Sequence, residues 1–174
     1  MSLKNFTQIE PIENGNSFKE NALIKARFAS RLISHSSATL ADDSGICIDS
    51  LNDQPGILSA RWAYKNNYHS AFQKIKKSLE KKELPVNGQC AKFICVLALI
   101  DKKKNEYIFQ GSLEGKLTLP PKGANGFGYD PIFIPINQKK TLGQMTSKLK
   151  NSFSHRKKAL DALLKHSLFK SYFS

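Results

Sequence analysis

Gln89-Cys90-Ala91-Lys92-Phe93-Ile94-Cys95-Val96-Leu97-Ala98-Leu99-Ile100 is apolar on both alternating faces for most of its length. A strand with one wet face alternates apolar and polar residues, so this run belongs in mid-sheet, covered above and below. Asp101 to Asn105 then supplies a polar turn, and Tyr107 to Phe109 returns as the hairpin partner. Other strands are expected at Thr39 to Asp43, at Ile46-Cys47-Ile48 after a turn at Ser44-Gly45, and at Ile132 to Ile134.

Three helical patterns supply the cover. Ser17-Phe18-Lys19-Glu20 reads as a capping box, with Ser17 at the N-cap and Glu20 at N3. The helix it opens carries Ala22, Ala26, Ala29 and Ile33 along one face. From about Ser70 to Lys82, Ala71, Ile75 and Leu79 recur at helical spacing among lysines. Ser154 caps a closing helix with Ala159, Leu160, Leu163, Leu164 and Leu168. Strands and helices in mixed order, with no repeat and no break in composition, predict an α/β fold in one domain over residues 1–174.

Composition narrows the function classes. With 40% hydrophobic residues, 174 residues bury a full core. The longest apolar stretch, Phe93 to Ile100, is too short to span a bilayer, and no secretory block opens the chain. Cys47, Cys90 and Cys95 are odd in number and lack metal-ligand spacing, which suits a reducing cytoplasm. The excess of 27 basic over 14 acidic residues gives +13 and attracts polyanions. The lysines are scattered in short clusters without interleaved aromatics, so they read as solvated faces rather than a nucleic-acid groove.

The chemistry-bearing stretch is Ala124-Asn125-Gly126-Phe127-Gly128-Tyr129-Asp130-Pro131. Two glycines let the main chain approach a ligand, two aromatics offer faces for stacking, and Asp130 adds an acceptor. Elsewhere stand Ala41-Asp42-Asp43-Ser44-Gly45, Pro55-Gly56-Ile57-Leu58-Ser59-Ala60-Arg61, and Ser154-His155-Arg156. Glu13-Asn14-Gly15-Asn16-Ser17-Phe18 runs into Glu20-Asn21-Ala22, with Lys25-Ala26 following. Asp42 and Asp43 are neighbours on a strand and face opposite ways unless it bends. Asp43, beside the expected turn, is placed at an exposed strand end, where turn capping is its ordinary alternative. Asp42 reads as structural. Walker residues are absent around Gly126, and no nucleophile elbow surrounds Ser154, which removes P-loop and serine-hydrolase readings.

In order and spacing these motifs resemble the inosine/xanthosine triphosphate pyrophosphatases, from about Ile9 to the final helix. The resemblance implies an elongated mixed sheet flanked by helices, with two lobes around a nucleotide-binding cleft. It implies that Asp43 is the essential carboxylate and that Glu13 and Asp43 hold a magnesium ion. Whether Asp43 is base or ligand stays open. Substrate contacts fall on Ser44, Phe127, Gly128, Tyr129, Asp130, Lys150, His155, Arg156 and Lys25. Phe127 would stack on the base, Tyr129 and Asp130 would fix base or sugar, and His155 with Arg156 would read a 6-oxo purine. Lys25 and Lys150 would meet phosphate. Two departures stand out. The family opens with a strand and a Thr-Gly-Asn-x-x-Lys loop, and this sequence is expected to begin after both. Leu149 stands where the family carries a glutamate.

The expected activity is hydrolysis of inosine, deoxyinosine and xanthosine triphosphates to the monophosphate and pyrophosphate, by a cytoplasmic homodimer without membrane or nucleic-acid partner. The rivals are a nucleotide pyrophosphatase with little base preference and a basic nucleic-acid-binding protein that kept the fold and lost turnover.

Overall fold

The computed structural model describes residues 9–33 and 37–167; Leu168, expected on the last helix, lies outside them. In chain order come α1 (Phe18–Leu32), β1 (Thr39–Ile48), β2 (Gln54–Pro55), α2 (Ser59–Trp62) and α3 (Tyr68–Glu80). β3 (Cys90–Ile100), β4 (Glu106–Leu117), β5 (Phe133–Pro135), α4 (Ser147–Phe153) and α5 (His155–Lys165) follow. The strands form one five-stranded sheet in the order β2-β1-β3-β4-β5.

β3 lies at the centre of that order, as its two apolar faces require. It pairs along its length with β1, from Thr39 opposite Ile100 to Ile48 opposite Ala91, and with β4, from Cys90 opposite Lys116 to Ile100 opposite Glu106. The hairpin partner is longer than expected and reaches Leu117. The α/β class with flanking helices holds. Where a mixed sheet was expected, all four described pairings are antiparallel, because no parallel crossover joins neighbouring strands.

Alternation along β3 divides the core. Val96, Ala98 and Ile100 face α1, meeting Ala22, Leu23 and Ala26. Cys95 and Leu97 face the other way, toward Ala159 and Leu163 of α5. At the far end of the sheet a larger core gathers Ile46, Ile48, Phe72, Ile75, Leu79 and Phe133. The inward face of α1 is therefore Asn21, Ala22, Leu23 and Ala26, while Ala29 and Ile33 are only half-buried. On α5, Ala159 and Leu163 are buried and Leu160 and Leu164 are exposed.

The caps follow the sequence with one shift. Ser17 Oγ accepts from the Glu20 N–H at 3.1 Å, but Glu20 Oε2 accepts from the N–H of Asn16, not of Ser17. Ser154 Oγ accepts from the Lys157 N–H at 3.2 Å, opening α5 as expected. The turn expected at Ser44-Gly45 does not exist: β1 is one continuous strand of 10 residues. Gly45 is small for a different reason. A Cβ there would sit 2.4 Å from the Gly56 carbonyl oxygen and 2.5 Å from Ser59 Oγ. Asp43 is accordingly in mid-strand and 7% exposed, not at an exposed strand end.

Gly111 in β4 plays the same part on the α5 side. A Cβ there would lie 2.2 Å from His155 O and 2.4 Å from Ala159 N, so the first turn of α5 rests directly on the sheet. Gly111→Ala should therefore cost about 1–3 kcal/mol by overpacking, read as a lower urea midpoint with an unchanged slope. An unaltered midpoint would show that α5 is free to lift.

Candidate active site

Residues from β1, the 124–131 loop, α4 and α5 line a cleft of about 180 Å³, suited to a base more than to a whole nucleotide. Ser44, Phe127, Gly128, Tyr129, Asp130, Lys150, His155 and Arg156 all border it. The expected substrate contacts other than Lys25 are thus brought together. Ser59, Tyr68 and Phe93 join them, and sequence reasoning missed all three. Ser59 lay in a quoted motif without a role, and Phe93 gave only a core signal.

His155 is the first residue of α5 and is buried, its ring stacked on Phe93 at 4.8 Å and 11°. Its Nε2 lies 3.1 Å from Arg156 Nη1. A guanidinium only donates, so Nε2 accepts and the neutral ring carries its proton on Nδ1. Nδ1 has no partner among the described residues. Burial, then the charges of Arg156 and Lys150, pushes the imidazole down to about 3, so it is neutral at physiological pH. Arg156 remains partly exposed, 3.7 Å from Asp42, which also accepts from Ser44 Oγ at 3.1 Å. Asp42, read as structural, orients two residues of the cleft from an exposed position.

The 124–131 loop is shaped by one carboxylate. Gly126 and Gly128 have φ of +75° and +67°, in the region glycine alone enters freely. Asp130, 2% exposed, accepts from the Phe127 N–H at 2.8 Å and from the Lys150 ammonium. Phe127 stands 61% exposed, with Lys150 Nζ 4.3 Å and Arg156 Cζ 5.2 Å from its ring centre. Tyr129 is buried edge-on to Tyr68 at 5.4 Å, and its hydroxyl donates to Ser59 O at 2.8 Å. Burial raises its phenol above the ordinary range.

Three of the expected substrate contacts already have partners within the protein. The polar atoms of Tyr129 and Asp130, expected on base or sugar, are engaged inside the protein. Lys150, expected on phosphate, is 7% exposed and pinned by Asp130. All three line the cleft, and their polar atoms are paired because a buried polar group is costly to leave unpaired.

The remaining expected residues meet on the opposite side of β1. Asp43 faces α1, where Lys25 Nζ lies 2.8 Å from Asp43 Oδ1 and 3.2 Å from Glu13 Oε1. Asn21, one turn before Lys25, accepts the Gly15 N–H at 2.9 Å and ties down the loop that carries Glu13. Arg61 donates to the Glu13 carbonyl. Neither Asn21 nor Arg61 had been given a role. Asp43 Oδ2 and Asn21 Nδ2 are buried and make no close hydrogen bond among the described residues, although the Asn21 side chain lies near enough to favour the charged Asp43. Burial raises the Asp43 carboxyl above its ordinary value, and the Lys25 hydrogen bond and charge only partly offset this. For Lys25, burial pulls down but Asp43 and Glu13 outweigh it, so its affinity for the proton rises.

No group of three or more His, Cys, Asp or Glu that could hold a metal occurs among the described residues. Two carboxylates still suit magnesium, which takes one or two and completes its shell with water and phosphate. The unpartnered, buried Asp43 Oδ2 fits such an ion.

His155 generates a pH prediction. The folded ring binds its proton far more weakly than the unfolded one, whose pKa is near the ordinary 6.5. Stability from this residue is fully present above that value and is lost as pH falls toward 3. His155→Phe, which keeps the stack on Phe93, should flatten the acid side of the stability profile. The gap between the two proteins should change by about 2–3 kcal/mol between pH 7 and about 4.5, read by urea denaturation. Parallel profiles would show that the ring is protonated in the fold.

The chain matches the Ham1 family over residues 1–166. It is 40% identical over 161 residues to a dITP/XTP pyrophosphatase of Corynebacterium diphtheriae, covering 89% of this chain and 76% of that one. A dITP/XTP pyrophosphatase of Halalkalibacterium halodurans is 40% identical over 164 residues, covering 93% and 82%. The structure of a HAM1 protein from Coxiella burnetii superposes with a TM-score of 0.80 at 39% identity, over 91% of this chain and 79% of that one. Among the described residues no helix is long and apolar enough to cross a membrane. With a site built from the motifs that carried the resemblance, the chain belongs to the Ham1 family.

Proposed function

We propose that the chain hydrolyses non-standard purine nucleoside triphosphates (ITP, dITP and XTP) to the monophosphate and pyrophosphate. The observation that carries this reading is the pairing of two half-sites across β1. One is a base-sized cleft with buried and guanidinium donors, the other a buried carboxylate with an unpartnered oxygen. A nucleotide seated in the cleft reaches Asp43 by passing Ser44, whose hydroxyl is a donor for phosphate.

The base stacks on Phe127, a contact worth about 1–3 kcal/mol. Nδ1–H of His155 and the guanidinium of Arg156 serve a 6-oxo group. An adenine amino group would face those donors with another donor, and unpaired buried donors are strongly rejected. Pyrophosphatases of this family are generally metal-dependent, and Glu13 and Asp43 are the residues that would hold magnesium. The bound ion supplies charge neutralisation at phosphate. Asp43, desolvated on the α1 face, would hold that ion or orient the attacking water and take its proton. Lys25 meets the phosphates. The family resemblance extends the proposal to a homodimer in the cytoplasm.

Pyrophosphate release from dITP, XTP, dATP and dGTP tests the reading. The expected result is kcat/KM at least about 100-fold higher for dITP than for dATP, abolished by EDTA and restored by Mg²⁺. Asp43→Asn should remove at least about 100-fold of the rate with the fold intact, and near-normal turnover would sink the carboxylate assignment. Arg156→Ala and His155→Ala should each narrow the dITP-to-dATP ratio, and unchanged ratios would move base reading to the Phe127 loop. No hydrolysis, with duplex affinity falling steeply in salt, would instead establish the nucleic-acid-binding rival.

A further inference from the structure

Lys25 occupies an unusual position for a residue meant to meet phosphate. Its ammonium is shared by two carboxylates, 2.8 Å from Asp43 Oδ1 and 3.2 Å from Glu13 Oε1. These are the same two carboxylates that would hold a divalent cation. A single ammonium already bridges them, while Arg61 reaches only the Glu13 backbone carbonyl. Asp43 is fixed in mid-strand, and its Oδ2 and the neighbouring Asn21 Nδ2 make no close hydrogen bond. One ammonium against two carboxylates leaves the cluster with an excess negative charge.

From this geometry we infer that Lys25 is an internal stand-in for the metal: it holds the Glu13–Asp43 seat while no cation is bound, and the incoming divalent ion displaces it. An ammonium and a divalent ion cannot share those oxygens, because like charges a few ångströms apart in a half-buried site repel strongly. Without Lys25, Asp43 would be a buried carboxylate facing a second carboxylate, a costly arrangement in the absence of metal. Lysine suits the exchange better than arginine. Its compact charge rides on a flexible four-carbon stem, and it makes no bidentate fork that would lock it on the carboxylate. Displaced by the ion, the ammonium is free to swing toward the phosphates that accompany the metal. Glu13, half-exposed on its loop, can follow the ion, whereas Asp43 stays still. Lys25 is therefore a competitor of the metal in the empty protein and a substrate contact only afterwards.

The inference rests on the proposed pyrophosphatase site, so the test separates the two. Mn²⁺ alone is titrated into the wild type, Lys25→Met and Lys25→Gln, with free Mn²⁺ read by electron paramagnetic resonance. Wild-type dITP hydrolysis is measured in parallel. Removing the competing charge should tighten Mn²⁺ binding by roughly tenfold or more, even though dITP turnover falls. Adding Asp43→Asn to either variant should abolish that gain. Lys25→Gln keeps a donor without the charge, so it decides the matter if the methionine variant folds poorly. Equal or weaker Mn²⁺ affinity in the folded variant, with wild-type hydrolysis intact, overturns the stand-in role and leaves the pyrophosphatase reading in place. Absence of both Mn²⁺ binding and hydrolysis in the wild type overturns both.

Discussion

Successive side chains on a strand leave the sheet on opposite faces, and at Asp42-Asp43-Ser44 that constraint separates the chemistry of this protein into two halves. Asp43 goes to the α1 face, where Lys25, Glu13 and Asn21 gather around it. Asp42 and Ser44 go to the α5 face, where Arg156 stands 3.7 Å from Asp42. The division holds only because β1 is unbroken and fully paired with β3. A turn at Ser44-Gly45 would rotate these residues out of register and dissolve both clusters.

Close backbone approach then sets how near the elements come. Gly45 lets the segment around Gly56 and Ser59 lie against β1, and Gly111 lets α5 lie against β4. Ser59 uses that proximity fully. Its hydroxyl accepts from the Ile46 N–H at 3.0 Å and donates to Gly56 O at 2.6 Å, while its carbonyl receives the Tyr129 hydroxyl. The loop bearing Phe127 is thereby tied to the strand bearing Asp43.

Buried charge decides which polar residues remain available. Asp130 and Lys150 neutralise one another at the cleft wall, and removing either would strand a buried charge, a defect that costs about 3–5 kcal/mol. Lys150, so held, and Arg156 both lie over the exposed Phe127 ring. His155 takes the other route and stays neutral. A neutral imidazole has one donor and one acceptor, so accepting from Arg156 defines which nitrogen is left to donate.

The chain by itself determined its local structure and its membership. Apolar runs on both faces placed β3 in the middle, Ser17 and Ser154 marked helix starts, and helical spacing identified the buried side of α3. The motifs in register named the site residues, because short fixed spacings survive as letters. Only the tertiary structure decided what those residues contact. The dipeptide Ser44-Gly45 reads as a turn locally, yet the glycine answers to Gly56 and Ser59, more than ten positions away. Tyr129, Asp130 and Lys150 read as ligand contacts, yet their partners are Ser59, Phe127 and each other. Arg61 and Asn21 stood in the motifs without a role, since what they bind is backbone around Glu13. Hydrogen-bond satisfaction and burial are properties of the assembled interior, where sequence-distant groups compete for one another. A linear pattern records which groups are present and not which of them are already paired.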